Sequence, residues 1–131
     1  MRLKKTLYRM RSLIGSIALI VILLAGAACS NQQTDREQVR QQYPELFQEV
    51  NRLIFEADPI GINFGHNTDE YEPEVGTIIP RLKSCESPSD VRKVIHEEFV
   101  RWFDADMAGS ESNYEELAER VWDVWQRHES Q

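Results

Sequence analysis

Four stretches of the chain place apolar side chains at helical spacing, and a fifth, near the N-terminus, is apolar without a break. Val39, Tyr43, Leu46, Phe47, Val50, Leu53, Ile54 and Ala57 recur every three or four positions. That period marks one face of an amphipathic helix of about five turns. Pro44 falls on its polar side, so the helix either begins there or is kinked; Asp58-Pro59 ends it, because a residue before proline is pushed out of the helical region. A second helix from Pro73 carries Val75, Ile78, Ile79 and Leu82, weakened by Gly76 and bent at Pro80, which cannot donate to the Gly76 carbonyl. Ser87-Pro88-Ser89-Asp90 opens a third helix with a capping serine, proline at the first position and an acid at the third. Its stripe is Val91, Val94, Ile95, Phe99, Trp102 and Phe103. Ser112-Asn113-Tyr114-Glu115 repeats the device ahead of Leu117, Ala118, Val121 and Trp125, with Asp104 to Glu111 as a polar turn between.

No segment alternates apolar and polar residues with period two, so no strand is expected. Four apolar faces in about 100 residues can enclose one core. The expected fold is all-α: a compact bundle of about four helices with one long ordered loop, behind a signal-peptide helix. Tyr43, Phe47, Phe99, Trp102, Phe103 and Trp125 are expected in the core, with Trp122 and Phe55 off the main stripes. His96-Glu97-Glu98 reads as the solvated face of the third helix, because Val100 stands where a metalloprotease helix needs its second histidine. His128 suits the negative end of the last helix.

The N-terminal segment is an address. Arg2, Lys4, Lys5, Arg9 and Arg11 precede an apolar or small run from Leu13 to Ala28, shorter than the roughly 20 residues a membrane span needs. A basic start, a short apolar run and small residues at its end make a signal peptide, residues 1–28. With Cys29 directly after Leu24-Ala25-Gly26-Ala27-Ala28, it resembles a bacterial lipoprotein signal. The resemblance implies cleavage before Cys29 and fatty acylation of Cys29, including palmitate. Ordinary cleavage after Ala27, or an uncut anchor, are the alternatives. All three put the body outside the cytoplasm. Residues 29–35 then form the lipidated cysteine and a polar tether, and residues 36–131 one domain held on the cell envelope. Ser30 after the cysteine resembles the outer-membrane sorting pattern, which in a Gram-negative cell places the domain on the periplasmic side. Lipidation leaves Cys85 as a lone thiol; without it, Cys29 and Cys85 could bridge.

Charge sharpens this division. The 131 residues carry a net −7, but all five basic residues of 1–28 belong to the signal, leaving 10 basic against 22 acidic side chains behind it. So acidic a body lacks the cationic surface that nucleic acid requires.

Residues 58–74 form a connection long enough to suggest function. Asp58 can cap a turn at Pro59, Gly61 and Gly65 permit positive φ, Glu72 and Glu74 suit a helix N-terminus, and Tyr71 can anchor the loop with its hydroxyl at the surface. Asp58-Pro59-Ile60-Gly61 followed by Asp69-Glu70-Tyr71-Glu72-Pro73-Glu74, and more loosely Trp102-Phe103 and Trp122, resemble the YugE-like family of small helical bacterial proteins over about residues 45–125. That resemblance implies a helical fold and supplies no reaction.

The candidate partner-binding or structural motif is therefore Asp58, Pro59, Gly61, Asp69, Glu70, Tyr71 and Glu72. The expected role is an envelope-anchored module that captures a basic protein partner, as an immunity-like or accessory lipoprotein, with the N-terminal lipid holding the membrane. Two alternatives remain. Asp69, Glu70, Glu72 and Glu74, with Asp58 and the amides of Asn63 and Asn67, could hold a hard cation such as calcium, and His66 could add a nitrogen ligand for zinc, although the spacing matches no EF-hand. Loop carboxylates could also serve an unrecognised hydrolase. No nucleophile triad, phosphate loop or dinucleotide fingerprint is present, so neither enzyme activity nor a cofactor is expected.

Overall fold

A computed structural model describes residues 36–131. The signal peptide, Cys29 and its lipid, and the tether to residue 35 lie outside the described residues. The first described residues, 36–42, form a short helical lead-in. Five helices follow: α1 (Pro44–Ala57), α2 (Glu72–Leu82), α3 (Pro88–Trp102), the one-turn α4 (Ala105–Ala108) and α5 (Glu115–Glu129), with a 3-10 turn at Glu111–Tyr114. Among the described residues there is no strand, and no helix is long and apolar enough to cross a membrane.

The four long helices close into a ring: α1 packs on α2, α2 on α3, α3 on α5 and α5 back on α1. Each turns its apolar stripe inward. Val50, Ile54, Ile78, Leu82, Val91, Ile95, Phe99 and Val121 are almost wholly excluded from water, so this is one continuous core. Tyr114 is buried among them, its ring tilted against Phe99 with centroids 5.4 Å apart and its hydroxyl donating to the Ala108 carbonyl at 2.8 Å. Tyr43 and Phe103 sit at the margin of this core and not within it, as do Trp122 and Phe55, and Trp102 is half-buried outside it. Trp102 is held there because its indole N–H donates to Thr77 Oγ1 at 3.1 Å.

The first apolar stripe is divided. Tyr43 leaves the helical region (φ −133°), and α1 restarts at Pro44. The proline ring forces the residue before it out of the helix, so the expected five-turn helix becomes a lead-in and α1. At the far end of α1, Asp58 adopts a left-handed conformation (φ 45°) and its N–H still donates to the Ile54 carbonyl. A left-handed residue reverses the chain at a helix C-terminus, a role aspartate tolerates better than most residues.

α3 starts as its sequence predicts. Ser87 Oγ accepts from the Asp90 N–H, while Asp90 Oδ2 accepts from the Glu86 N–H and the Ser87 hydroxyl. α5 does not. Ser110, not Ser112, caps the 3-10 turn, and the α-helix begins at Glu115. The expected polar turn between α3 and α5 contains α4, capped by Asp104 Oδ1 accepting from Met107 N–H.

The face of α3 expected in solvent is not free of structure. Glu98 is buried, and Arg81 of α2 reaches across to donate to its Oε1 at 2.7 Å and to Glu97. His96 Nε2 lies 2.8 Å from the Gly109 carbonyl, its ring against Tyr114. Arginines bridge other elements in the same way: Arg40 of the lead-in to Glu72, Arg92 of α3 to Glu111, Arg120 and Arg127 of α5 to Glu56 and Glu49 of α1.

Candidate functional site

The connection from Asp58 to Tyr71 carries no regular structure, yet its polar groups are largely bonded to one another. Asp58 is the hub: Oδ1 accepts from the Ile62 N–H at 2.9 Å, the Asn63 N–H at 3.0 Å and the Tyr71 hydroxyl at 2.6 Å. Asn63 donates to the Phe55 carbonyl at 2.8 Å, tying the loop to the end of α1, and accepts from the Gly65 N–H. Asn67 accepts from the Phe64 N–H at 2.8 Å and donates to the Ile62 carbonyl at 2.7 Å. Asn51 of α1 donates to the Thr68 carbonyl at 2.9 Å. Gly61 (φ 74°) and Gly65 (φ 81°) take the left-handed conformations these reversals require.

Three side chains pin the loop to the domain. Ile60 and Ile62 are half-buried against the core, and Tyr71 is wholly buried with its ring against Phe99. The Tyr71 hydroxyl does not reach the surface as expected; it turns inward to Asp58. Burial, reinforced by the Asp58 carboxylate, pushes its ionisation far above the ordinary tyrosine value.

What the loop shows to solvent is a different set. Phe64 at its tip is 71% exposed, the most exposed large apolar side chain among the described residues. Gly65, His66, Asp69 and Glu70 are exposed around it, and His66 Nδ1 bonds the Phe64 carbonyl at 3.0 Å. Pro59 is half-buried. Glu72 turns away from this group to Arg40, whose guanidinium also lies over the Phe47 ring at 4.9 Å. A cleft of about 180 Å³ lies beside the loop base, lined by Arg40, Pro44, Phe47, Gln48, Asn51 and Glu72.

The candidate residues thus separate by role. Asp58, Gly61 and Tyr71 build the loop; Asp69, Glu70 and His66 are displayed on it; Glu72 joins the lead-in to α2. The Asn63 and Asn67 amides, read as oxygen donors for a cation, are occupied as struts. Among the described residues, no three of His, Cys, Asp and Glu gather into a group that could hold a metal ion. Cys85 is a buried free thiol at the end of α2, with burial and then Asp90 pushing its ionisation upward against the pull of Arg81.

Sequence reasoning missed Phe64 and the strut role of the asparagines. The signal for the asparagines was present. Asn63 two residues before Gly65, with Asn67 beyond, is the pattern of side chains that bond backbone N–H groups nearby. An aromatic side chain inside such a turn has no helix face to bury it.

No protein-family model, curated protein or solved structure matches the chain.

Proposed function

We propose that this protein is an envelope-anchored binding module that presents loop 58–71 to a protein partner. The observation that carries the reading is Phe64, an aromatic side chain left 71% exposed on a loop whose backbone is held by its own hydrogen bonds. Single exposed apolar residues are ordinary on proteins. This one sits on a stiff support, so little entropy is lost when a partner closes over it. Burying a phenylalanine contributes about 1.5–3 kcal/mol, enough for an anchor. Asp69 and Glu70 beside it favour a partner whose slot for the ring is edged with lysine or arginine, and such charges speed encounter.

The anchor in this reading is Cys29, acylated at the end of the lipoprotein-type signal. The loop is the motif that resembles the YugE-like proteins. An immunity-like or accessory role at the envelope follows from this placement. Among the described residues, no grouped metal ligands favour the metal-sensor reading over this one.

The test uses the full chain. Palmitate labelling of the wild type, lost in Cys29→Ala, establishes the anchor. Photo-crosslinking from the loop in envelope extract, with Phe64→Ala and Asp69→Asn/Glu70→Gln alongside, identifies the partner. The expected result is a single salt-sensitive adduct, lost in Phe64→Ala and weakened at least several-fold by the amides. An adduct indifferent to all three substitutions would overturn the reading.

A further inference from the structure

The one-turn helix α4 is flanked on both sides by backbone conformations that side chains rarely tolerate. Asp104 before it has φ 126° and ψ 173°, and Gly109 after it has φ 67° and ψ −155°. Glycine takes that region freely. A residue with a Cβ is strained there and stays only where its surroundings hold it. Two demands therefore meet at position 104. The turn needs an acceptor at its start, which Asp104 Oδ1 supplies to the Met107 N–H at 2.9 Å. The backbone at the same place suits glycine, which has no acceptor to offer. The cap closes the turn and the strain works to open it.

Little else holds the segment. Residues 104–107, 109 and 110 are exposed, Met107 by 51%, and only Ala108 is buried. A single methyl group is a small apolar seat. From the domain side, the Tyr114 hydroxyl donates to the Ala108 carbonyl at 2.8 Å, and His96 Nε2 lies 2.8 Å from the Gly109 carbonyl. The backbone bonds from the Ala108 N–H to the Asp104 carbonyl and from the Gly109 N–H to the Ala105 carbonyl are each 3.0 Å long. By contrast, α3 and α5 each bury five side chains along their inner faces. Segments with few buried apolar groups and exposed backbone bonds open at a lower free energy than the whole domain.

We propose that α4 is a strained lid: residues 104–109 lift off α3 as a unit while the four long helices stay packed, and the strain at Asp104 sets how often they lift. Once lifted, Asp104 returns to the extended or helical backbone open to any residue. Lifting also breaks the bonds to Tyr114 and His96, so the open form presents a hydroxyl and an imidazole that the closed domain keeps engaged. The lid depends neither on a partner for loop 58–71 nor on an anchor at Cys29.

Amide hydrogen exchange on the full chain in detergent micelles tests it, followed in rising urea below the unfolding transition. The Ala108 and Gly109 amides are expected to exchange at least about tenfold faster than those of Ile95 and Phe99 in α3. Low urea should leave their rate unchanged, because a local opening exposes little surface. Two substitutions then separate strain from cap. Asp104→Gly and Asp104→Ala both lose the carboxylate and differ in the backbone they tolerate. Protection of Ala108 and Gly109 is expected to be at least about threefold higher in Asp104→Gly than in Asp104→Ala. Exchange at these two amides that accelerates with urea in step with α3 would overturn the proposal, as would protection in Asp104→Gly no higher than in Asp104→Ala. If Asp104→Ala does not fold, Asp104→Gly against the wild type decides it. Protection at least equal to the wild type, despite the lost cap, supports the lid; weaker protection overturns it.

Discussion

The Tyr71 hydroxyl donates to Asp58 Oδ1 at 2.6 Å, joining the first residue after α1 to the last before α2. This one bond closes the loop upon itself, and two backbone N–H groups share the same oxygen. A hydrogen bond to a charged group contributes about 1.5–3 kcal/mol, so Tyr71→Phe should lower unfolding stability by that order in urea titration. Asp58→Ala should cost more. It orphans three donors and places alanine in the left-handed region, which adds roughly 1–2 kcal/mol. Asp58→Asn keeps an acceptor and tolerates that backbone, and should fall between the wild type and alanine. Equal stability for all three variants would show that the loop is held elsewhere.

Arg81 ties α2 to α3 through Glu98, whose side chain is only 4% exposed. Removing the arginine leaves that buried carboxylate with only the loose, largely exposed Arg101 at 3.7 Å. Arg81→Met is expected to destabilise by about 2–4 kcal/mol, and Arg81→Met/Glu98→Leu to recover most of that loss, because both charges then leave together. A double variant no better than the single one would place the cost in the arginine stem.

Alkaline pH should act through two buried phenols. Burial pushes Tyr114 up to about 12 and raises Tyr71 further still, with help from Asp58. Both values are raised by folding, so the stability they contribute is intact below the ordinary value of 10 and falls as pH rises through about 12. Phenolate absorbance should show two tyrosines silent until the domain unfolds, then ionising together with the loss of helical circular dichroism. Ionisation of all tyrosines in the folded protein would contradict this.

Cys85 offers a cheap probe of packing. Its thiol is buried and its ionisation raised, and only the thiolate reacts. Alkylation by iodoacetamide at pH 8 should run at least about tenfold slower in native protein than in urea. Comparable rates would mean that the end of α2 opens freely.

Most of the helices were legible because helix periodicity needs only local pattern. Ser87 and Asp90 cap α3 as the spacing required, and Pro44 and Asp58 bound α1. What escaped was set by contacts distant in sequence. Glu98 reads as a solvated acid until Arg81, 17 residues earlier, is seen to reach it. Tyr114 reads as part of a helix start until Phe99 and the Ala108 carbonyl enclose it. In the loop, Asp58, Gly61 and Gly65 announced turns, but nothing in the pattern said that Tyr71 would point inward or Phe64 outward. Those directions depend on the space the four helices leave, which no local spacing reveals.

The arginine bridges have a consequence for neighbours. Seven arginines of the domain are committed to glutamates, several of them fastening one element to another. Their cations are paired within the domain, which leaves less positive charge to meet the acids of another copy. Asp69, Glu70, Glu116, Glu119 and Asp123 are left exposed outside these bridges. Two such domains brought together oppose acid to acid over a range of about 8 Å at physiological ionic strength. Crowded together they would spread apart, leaving room around each for something of opposite charge.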